Sequence, residues 1–174
     1  QHLPLLLSDL SISNEEAEII IVDSNSEDNT KEIGKLYGSK IYKSKKKNRG
    51  LQLNIGAKKA KGKWFIFIHA DSRIRQGWLK KVKSVIRYNK NFVCFFKFKI
   101  NNKNIIYRFL EILVNLRSYI FKDPYGDQGL LIHRETYFKT KGYRKIALME
   151  DLDFIKRLKK KVSLKMLNIP IYTS

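Results

Sequence analysis

Residues 64–72 read W-F-I-F-I-H-A-D-S, an apolar run from Trp64 that stops on His69, Ala70 and Asp71. A run this apolar reads as a strand covered on both faces, as in a parallel α/β sheet. Ligands in such sheets sit just outside the carboxyl ends of the strands. The chain holds 36 Lys and Arg against 16 Asp and Glu, so a carboxylate at the end of a buried strand stands out. Asp71 is therefore expected where a metal or a phosphate-bearing substrate would be held.

Outward from this strand, apolar runs and helical stretches alternate. Residues 3–10 read as the end of a helix, 18–22 as a strand ending at Asp23, and 28–37 as a helix. A short strand over 40–42 and a helix over 51–60 lead into the 64–69 strand. Beyond it come a helix over 76–88, a strand over 92–100, a long helix over 105–121 and a strand over 130–133. A helix over 150–160 and a closing strand over 163–171 complete the series. Such alternation predicts one α/β domain over residues 1–174, with a mostly parallel sheet and crossover helices. The series opens inside a helix, so a first strand carrying part of the ligand site is expected to be missing.

Composition narrows the function. With 43% hydrophobic and 12% aromatic residues, the chain is of the globular type. Its one cysteine, Cys94, excludes an internal disulfide and a cysteine-based zinc cluster. The start Q-H-L-P-L-L-L-S-D-L has no secretory leader, so a cytoplasmic protein is expected, with a peripheral position on the inner face of a membrane as the alternative. The net charge of +20 fits nucleic acid, anionic lipid or an anionic small molecule as partner, or a simple abundance of Lys, Ile and Asn. No nucleic-acid-binding module is recognisable, so no specific nucleic acid is expected. In the 105–121 helix, Arg108, Glu111, Asn115 and Ser118 form a polar stripe on an otherwise apolar surface. Packing onto the domain is expected, with docking on a membrane or partner subunit as the other reading.

Five segments carry candidate chemistry. V-D-S-N-S-E-D-N-T (22–30) places Asp23 at a strand end, where an aspartate can accept hydrogen bonds from a base or ribose. Helix capping accounts for Ser26 or Asp28 but not for Asp23. R-G-L-Q-L-N-I-G-A-K-K-A-K-G (49–62) sets Arg49, Gln52 and Asn54 at the start of a helix, a place that favours phosphate. On its own this segment also reads as a solvated basic helix. In H-A-D, Asp71 offers a carboxylate to Mg²⁺ or Mn²⁺, and His69 is a second ligand or a satisfied core histidine. The last two are G-D-Q (126–128) and M-E-D-L-D (149–153), the latter explicable by acids favouring a first helical turn. Of the eight aspartates, Asp23, Asp71, Asp127, Asp151 and Asp153, besides the capping Asp28, fall in these motifs, where sheet-top loops should converge.

Taken in order, these segments resemble a family-2 glycosyltransferase of GT-A fold. The order is V-D-S-N-S-E-D-N-T, the Asn-x-Gly-Ala helix, the strand with H-A-D, then G-Y and E-D. More narrowly, H-A-D-S, N-L-R-S, P-Y-G-D-Q, L-M-E-D and the closing T-S resemble the arsenosugar-biosynthesis-type glycosyltransferases. The resemblance implies a Rossmann-like GT-A sandwich and a metal-assisted, inverting transfer from a nucleotide-diphospho-sugar to an acceptor hydroxyl. It implies that Asp23, Arg49, Asn54 and Asp71 bind the nucleotide-sugar, with Mg²⁺ or Mn²⁺ on Asp71 and His69. Asp151 would be the general base, and Gly126, Asp127, Gln128 and Glu150 would line the acceptor or sugar pocket. His69 stands where most of the family has the first acid of Asp-x-Asp. The family's first strand with its Pro-x-x-Asn-Glu loop, and its basic-aromatic tail, are not in the chain, so the domain is expected to be incomplete at both ends. A catalytically impaired fragment serving as a binding or membrane-surface module is the alternative function.

Overall fold

A computed structural model of the chain describes residues 2–11, 16–87 and 92–173. Helix α1 (Leu3–Ser11) is followed by β1 (Ile20–Asp23), α2 (Thr30–Leu36), β2 (Lys40–Lys43), α3 (Arg49–Lys59) and β3 (Trp64–Phe67). Then come β4 (Arg73–Ile74), α4 (Trp78–Ile86), β5 (Phe92–Ile100) and α5 (Ile105–Phe121). A single 3₁₀ turn (Gly126–Gln128) leads to β6 (Leu130–His133), α6 (Arg134–Lys139), α7 (Glu150–Lys159) and β7 (Ser163–Thr173). The short β4 and α6 were not expected from the sequence. Tyr88, the expected end of the helix that is α4, lies outside the described residues.

The α/β class holds, and the sheets are mixed. β1 and β2 form a parallel pair, and the main sheet runs β3-β6-β5-β7-β4. Within it β5 and β7 are parallel, while β6 is antiparallel to both β3 and β5, and β4 is antiparallel to β7. The mostly parallel expectation is thus met by two pairs, β1–β2 and β5–β7, and corrected by the three antiparallel pairs that β6 and β4 make. The reason lies in the path of α5. Its residues Glu111 and Asn115 bond to Ile100 and Phe98, and Ser118 reaches Gln128, which bonds to Phe96. The helix therefore runs back along only the final half of β5. It releases the chain beside Phe96, so β6 starts there and can only run down the sheet, with Leu130 opposite both Phe95 and Phe67.

Strand alternation sends side chains to two cores. On one face Phe65, Val93, Phe95, Leu130 and Ile132 meet Tyr137 of α6 and Phe154, Ile155 and Leu158 of α7. On the other, Phe92, Cys94, Phe96 and Leu131 meet Trp78 and Val82 of α4. Helix α1 is tied to β4 by Asp9, whose carboxylate accepts from Arg73 Nε and Nη2 and from the Ile74 N–H.

Helix α5 meets the domain with its polar stripe. β6 pairs with β5 only over Val93–Phe95, leaving the backbone of residues 96–100 without a strand on that side. Asn115 accepts from the Phe98 N–H and donates to the Phe98 carbonyl, both at 2.9 Å, and Glu111 accepts from the Ile100 N–H at 2.7 Å. Arg108 donates to the Ile100 carbonyl, and Gln128 to that of Phe96. The spacing works because four helical residues rise about 6 Å, close to two residues of a strand. Side chains thus stand in for a missing strand, and the apolar arc of α5 is left outside.

Candidate active site

The site forms where β3 ends, between the first turns of α3 and α7 and the 126–128 turn. Asn48 caps α3, its Oδ1 accepting from the Leu51 N–H at 2.9 Å, which makes Arg49 the first helical residue. Gly50 lets this turn press on residue 144, because a Cβ there would collide with the Arg144 carbonyl. Arg49 Nε lies 3.2 Å from Glu150 Oε1, and the Glu150 carboxylate is buried beneath it. This ion pair joins α3 to the start of α7.

Gly126 marks the centre. A Cβ there would collide with Arg49 Nη2 and lie 2.8 Å from Asp151 Oδ2 and 2.9 Å from His69 Nε2. Three groups of different chemistry therefore converge on one backbone position that has no side chain. The Gly126 N–H donates to Asp151 Oδ2 at 2.7 Å, and the Leu152 N–H donates to Oδ1, fixing the carboxylate. The wall is completed by Leu53, Phe67, Pro124, Tyr125, Tyr143 and Ile155.

His69 and Asp71 leave the end of β3 in different directions. His69 Nδ1 lies 3.9 Å from Asp71 Oδ1, and the Asp71 side chain is half exposed. His69 Nε2 is buried without a hydrogen-bond partner. Burial first, then the Arg49 charge, push the imidazole below its ordinary pKa against the pull of Asp71 and Asp151, which favours the neutral ring. A neutral imidazole and a carboxylate this close can share one divalent ion. Among the described residues, no group of three or more His, Cys, Asp or Glu could hold a metal. The donors fit an open site completed by phosphate oxygens and water.

Other expected site residues are placed differently. The Asp23 carboxylate is buried at the end of β1 and accepts from the N–H groups of Asn25 and Ser26 and from the Ser26 hydroxyl. Burial raises its pKa, but these bonds and Lys31 at 3.7 Å outweigh that and hold it below the carboxylate range. Asn54 is spent inside the fold, donating to the Tyr143 carbonyl and accepting from the Tyr137 hydroxyl. Gln128 is fully buried between Ser118 and Phe96. Asp127 is raised by burial, partly offset by backbone N–H groups and Arg117, and its Oδ1 has no hydrogen-bond partner. Arg49, His69, Gly126, Glu150 and Asp151 are thus brought together, with Asp71 alongside. Tyr125 and Tyr143 had no role in the sequence reading, although both stood inside quoted motifs, P-Y-G-D-Q and G-Y. Arg117 stacks on the Tyr125 ring, 3.7 Å from its centroid.

Known structures share this architecture. A 1–349 fragment of TarS from S. aureus superposes with a TM-score of 0.79 at 17% identity, over 100% of this chain and 57% of that one. Glucosyl-3-phosphoglycerate synthase from Mycobacterium tuberculosis, solved with Mn²⁺, UDP and glucosyl-3-phosphoglycerate, gives 0.73 at 12% identity, over 97% of this chain and 65% of that one. GalNAc-T7, solved with UDP, GalNAc and Mn²⁺, gives 0.67 at 15% identity, over 90% and 37%. The fold is therefore that of the GT-A glycosyltransferases, and the chain spans 57% of the TarS fragment's length. No curated protein is similar enough to this chain to count as a match. The family model for glycosyl transferase family 2 matches residues 5–151 of the 174, and the chain belongs to that family.

Proposed function

We propose that this site transfers a sugar, with inversion, from a nucleotide-diphospho-sugar to an acceptor hydroxyl. The observation that carries the reading is the convergence of Arg49, His69 and Asp151 on Gly126, with Asp71 beside His69. Asp151 takes the proton of the acceptor hydroxyl as its oxygen attacks the anomeric carbon. The bond from that carbon to the diphosphate oxygen breaks, and the electron pair leaves with the diphosphate. Arg49 counters the developing negative charge, and the Glu150 carboxylate beneath holds its guanidinium in place. Base and charge sink come from different elements, α7 and α3, and meet at Gly126.

Asp71 and His69 would hold Mg²⁺ or Mn²⁺, which supplies charge neutralisation for the diphosphate. Support comes from the open donor pair and from the presence of both Mn²⁺ and UDP in two of the similar structures. TarS has been solved with UDP and with UDP-GlcNAc, which favours a uridine nucleotide as the first donor to try. Asp23 is the proposed contact for the base, reached through its loop. Asn54 and Gln128 serve the site by fixing its walls, whereas Gly126 lines the space for the sugar or acceptor. The narrower kinship with arsenosugar-type enzymes rests on the quoted motifs.

Turnover tests the base assignment. UDP release from a panel of UDP-sugars, UDP-GlcNAc among them, should fall about 10²–10⁴-fold in Asp151→Asn while UDP affinity holds. Loss of nucleotide binding together with turnover would overturn the assignment.

A further inference from the structure

Helix α5 presents an apolar stripe to solvent. Ile106, Phe109, Ile112, Leu116, Ile120 and Phe121 are each 51–70% exposed, while Glu111, Asn115 and Ser118 are buried. A contiguous apolar surface on this scale marks an interaction face. Its direction is fixed, because turning the stripe inward would break the bonds from Asn115 and Glu111 to the β5 backbone.

The charge around the stripe identifies what covers it. Between residues 103 and 122 the one acid, Glu111, is buried and paired with Arg108, which leaves Lys103, Arg117 and Lys122 as the cations flanking the stripe. Lys122 Nζ sits 4.2 Å above the Tyr119 ring, and Arg117 rides on Tyr125. Aromatic rings carrying cations at the end of an apolar helix suit the boundary between headgroups and acyl chains. A second copy would bring another +20 of charge against the first, which opposes self-association. An anionic lipid surface is attracted by the same charge. No helix among the described residues is long and apolar enough to cross a membrane. A helix lying in the interface plane needs no such span.

We propose that α5 docks on an anionic bilayer with its apolar stripe in the acyl boundary. From its C-terminus the chain passes directly through Pro124 to Tyr125 and Gly126 of the site, so docking would set the site's mouth at the lipid surface. The docking itself does not depend on the proposed transfer.

Co-sedimentation of the full chain with vesicles tests it. The chain should bind phosphatidylglycerol–phosphatidylcholine vesicles, bind pure phosphatidylcholine far less, and lose affinity as salt rises. The triple variant Ile112→Ser, Leu116→Ser, Ile120→Ser should lower the partition coefficient on the order of 100-fold or more, with circular dichroism and urea midpoint unchanged. Three results would each overturn the proposal. These are no binding to the anionic vesicles, equal binding by a folded triple variant, or a vesicle-indifferent dimer that the triple variant dissociates.

Discussion

Helices α5 and α7 pack on the same domain with opposite faces inward. In α7 the apolar arc of Phe154, Ile155 and Leu158 is buried, and the Lys-rich arc faces water. In α5 the polar arc is buried and the apolar arc faces water. What each helix lies on decides the difference. α7 covers a sheet face of side chains whose backbone groups are already paired, so only apolar contact is on offer. α5 lies along residues 96–100, past the end of β6, where unpaired backbone groups need donors and acceptors. Leaving such groups buried and unpaired costs more than leaving the apolar arc exposed. Each helix then delivers something different to the site: α7 its first-turn acids, α5 the turn that carries Gly126.

The comparison can be broken by substitution. Phe154 is fully buried against Tyr143, centroids 4.6 Å apart, so Phe154→Ala should cost about 4 kcal/mol in urea unfolding. Next, Asn115→Leu should cost about 3 kcal/mol by orphaning the Phe98 N–H and carbonyl. A neutral or stabilising Asn115→Leu would mean that apolar contact, not hydrogen bonding, holds α5. On the outer arc, Ile112→Ser without lipid should change stability by no more than about 0.5 kcal/mol. A large loss there would show that the arc is covered within the chain.

The smallest effect concerns pH where the two helices meet, since Arg117 of α5 and Asp151 of α7 both act on Asp127. Burial raises the Asp127 pKa, so the folded state favours the protonated form. Its contribution is fully present below the ordinary aspartate pKa and is lost as pH rises through the raised one. Asp127→Asn should therefore lessen the loss of stability between the acid limb and neutrality. An unchanged profile would remove Asp127 from this account.

Much of this was legible in the residues. The apolar runs expected as strands at 64–69, 92–100 and 130–133 are strands, the first ending two residues early at Phe67, and the acids that follow or precede the elements lie where chain ends converge. Arg49 and His69 were singled out by position and Asp151 by the family resemblance, and the three come together in space. The direction of β6 was not legible, because it depends on how far α5 returns along β5. Nor was the orientation of α5, since a stripe at helical spacing defines two arcs and not which one the domain needs. Asn54 and Gln128 carry the right chemistry for ligands, and only their partners, Tyr137, Tyr143, Ser118 and Phe96, show it to be committed to the fold.

Calorimetric titration with UDP, with and without Mn²⁺, tests the central claim most directly. The wild-type chain and Asp151→Asn should both bind UDP in a Mn²⁺-dependent manner, and Asp71→Ala should lose that dependence. Metal-independent binding, no binding by the wild-type chain, or equal losses in the two variants would contradict a donor site built on the end of β3.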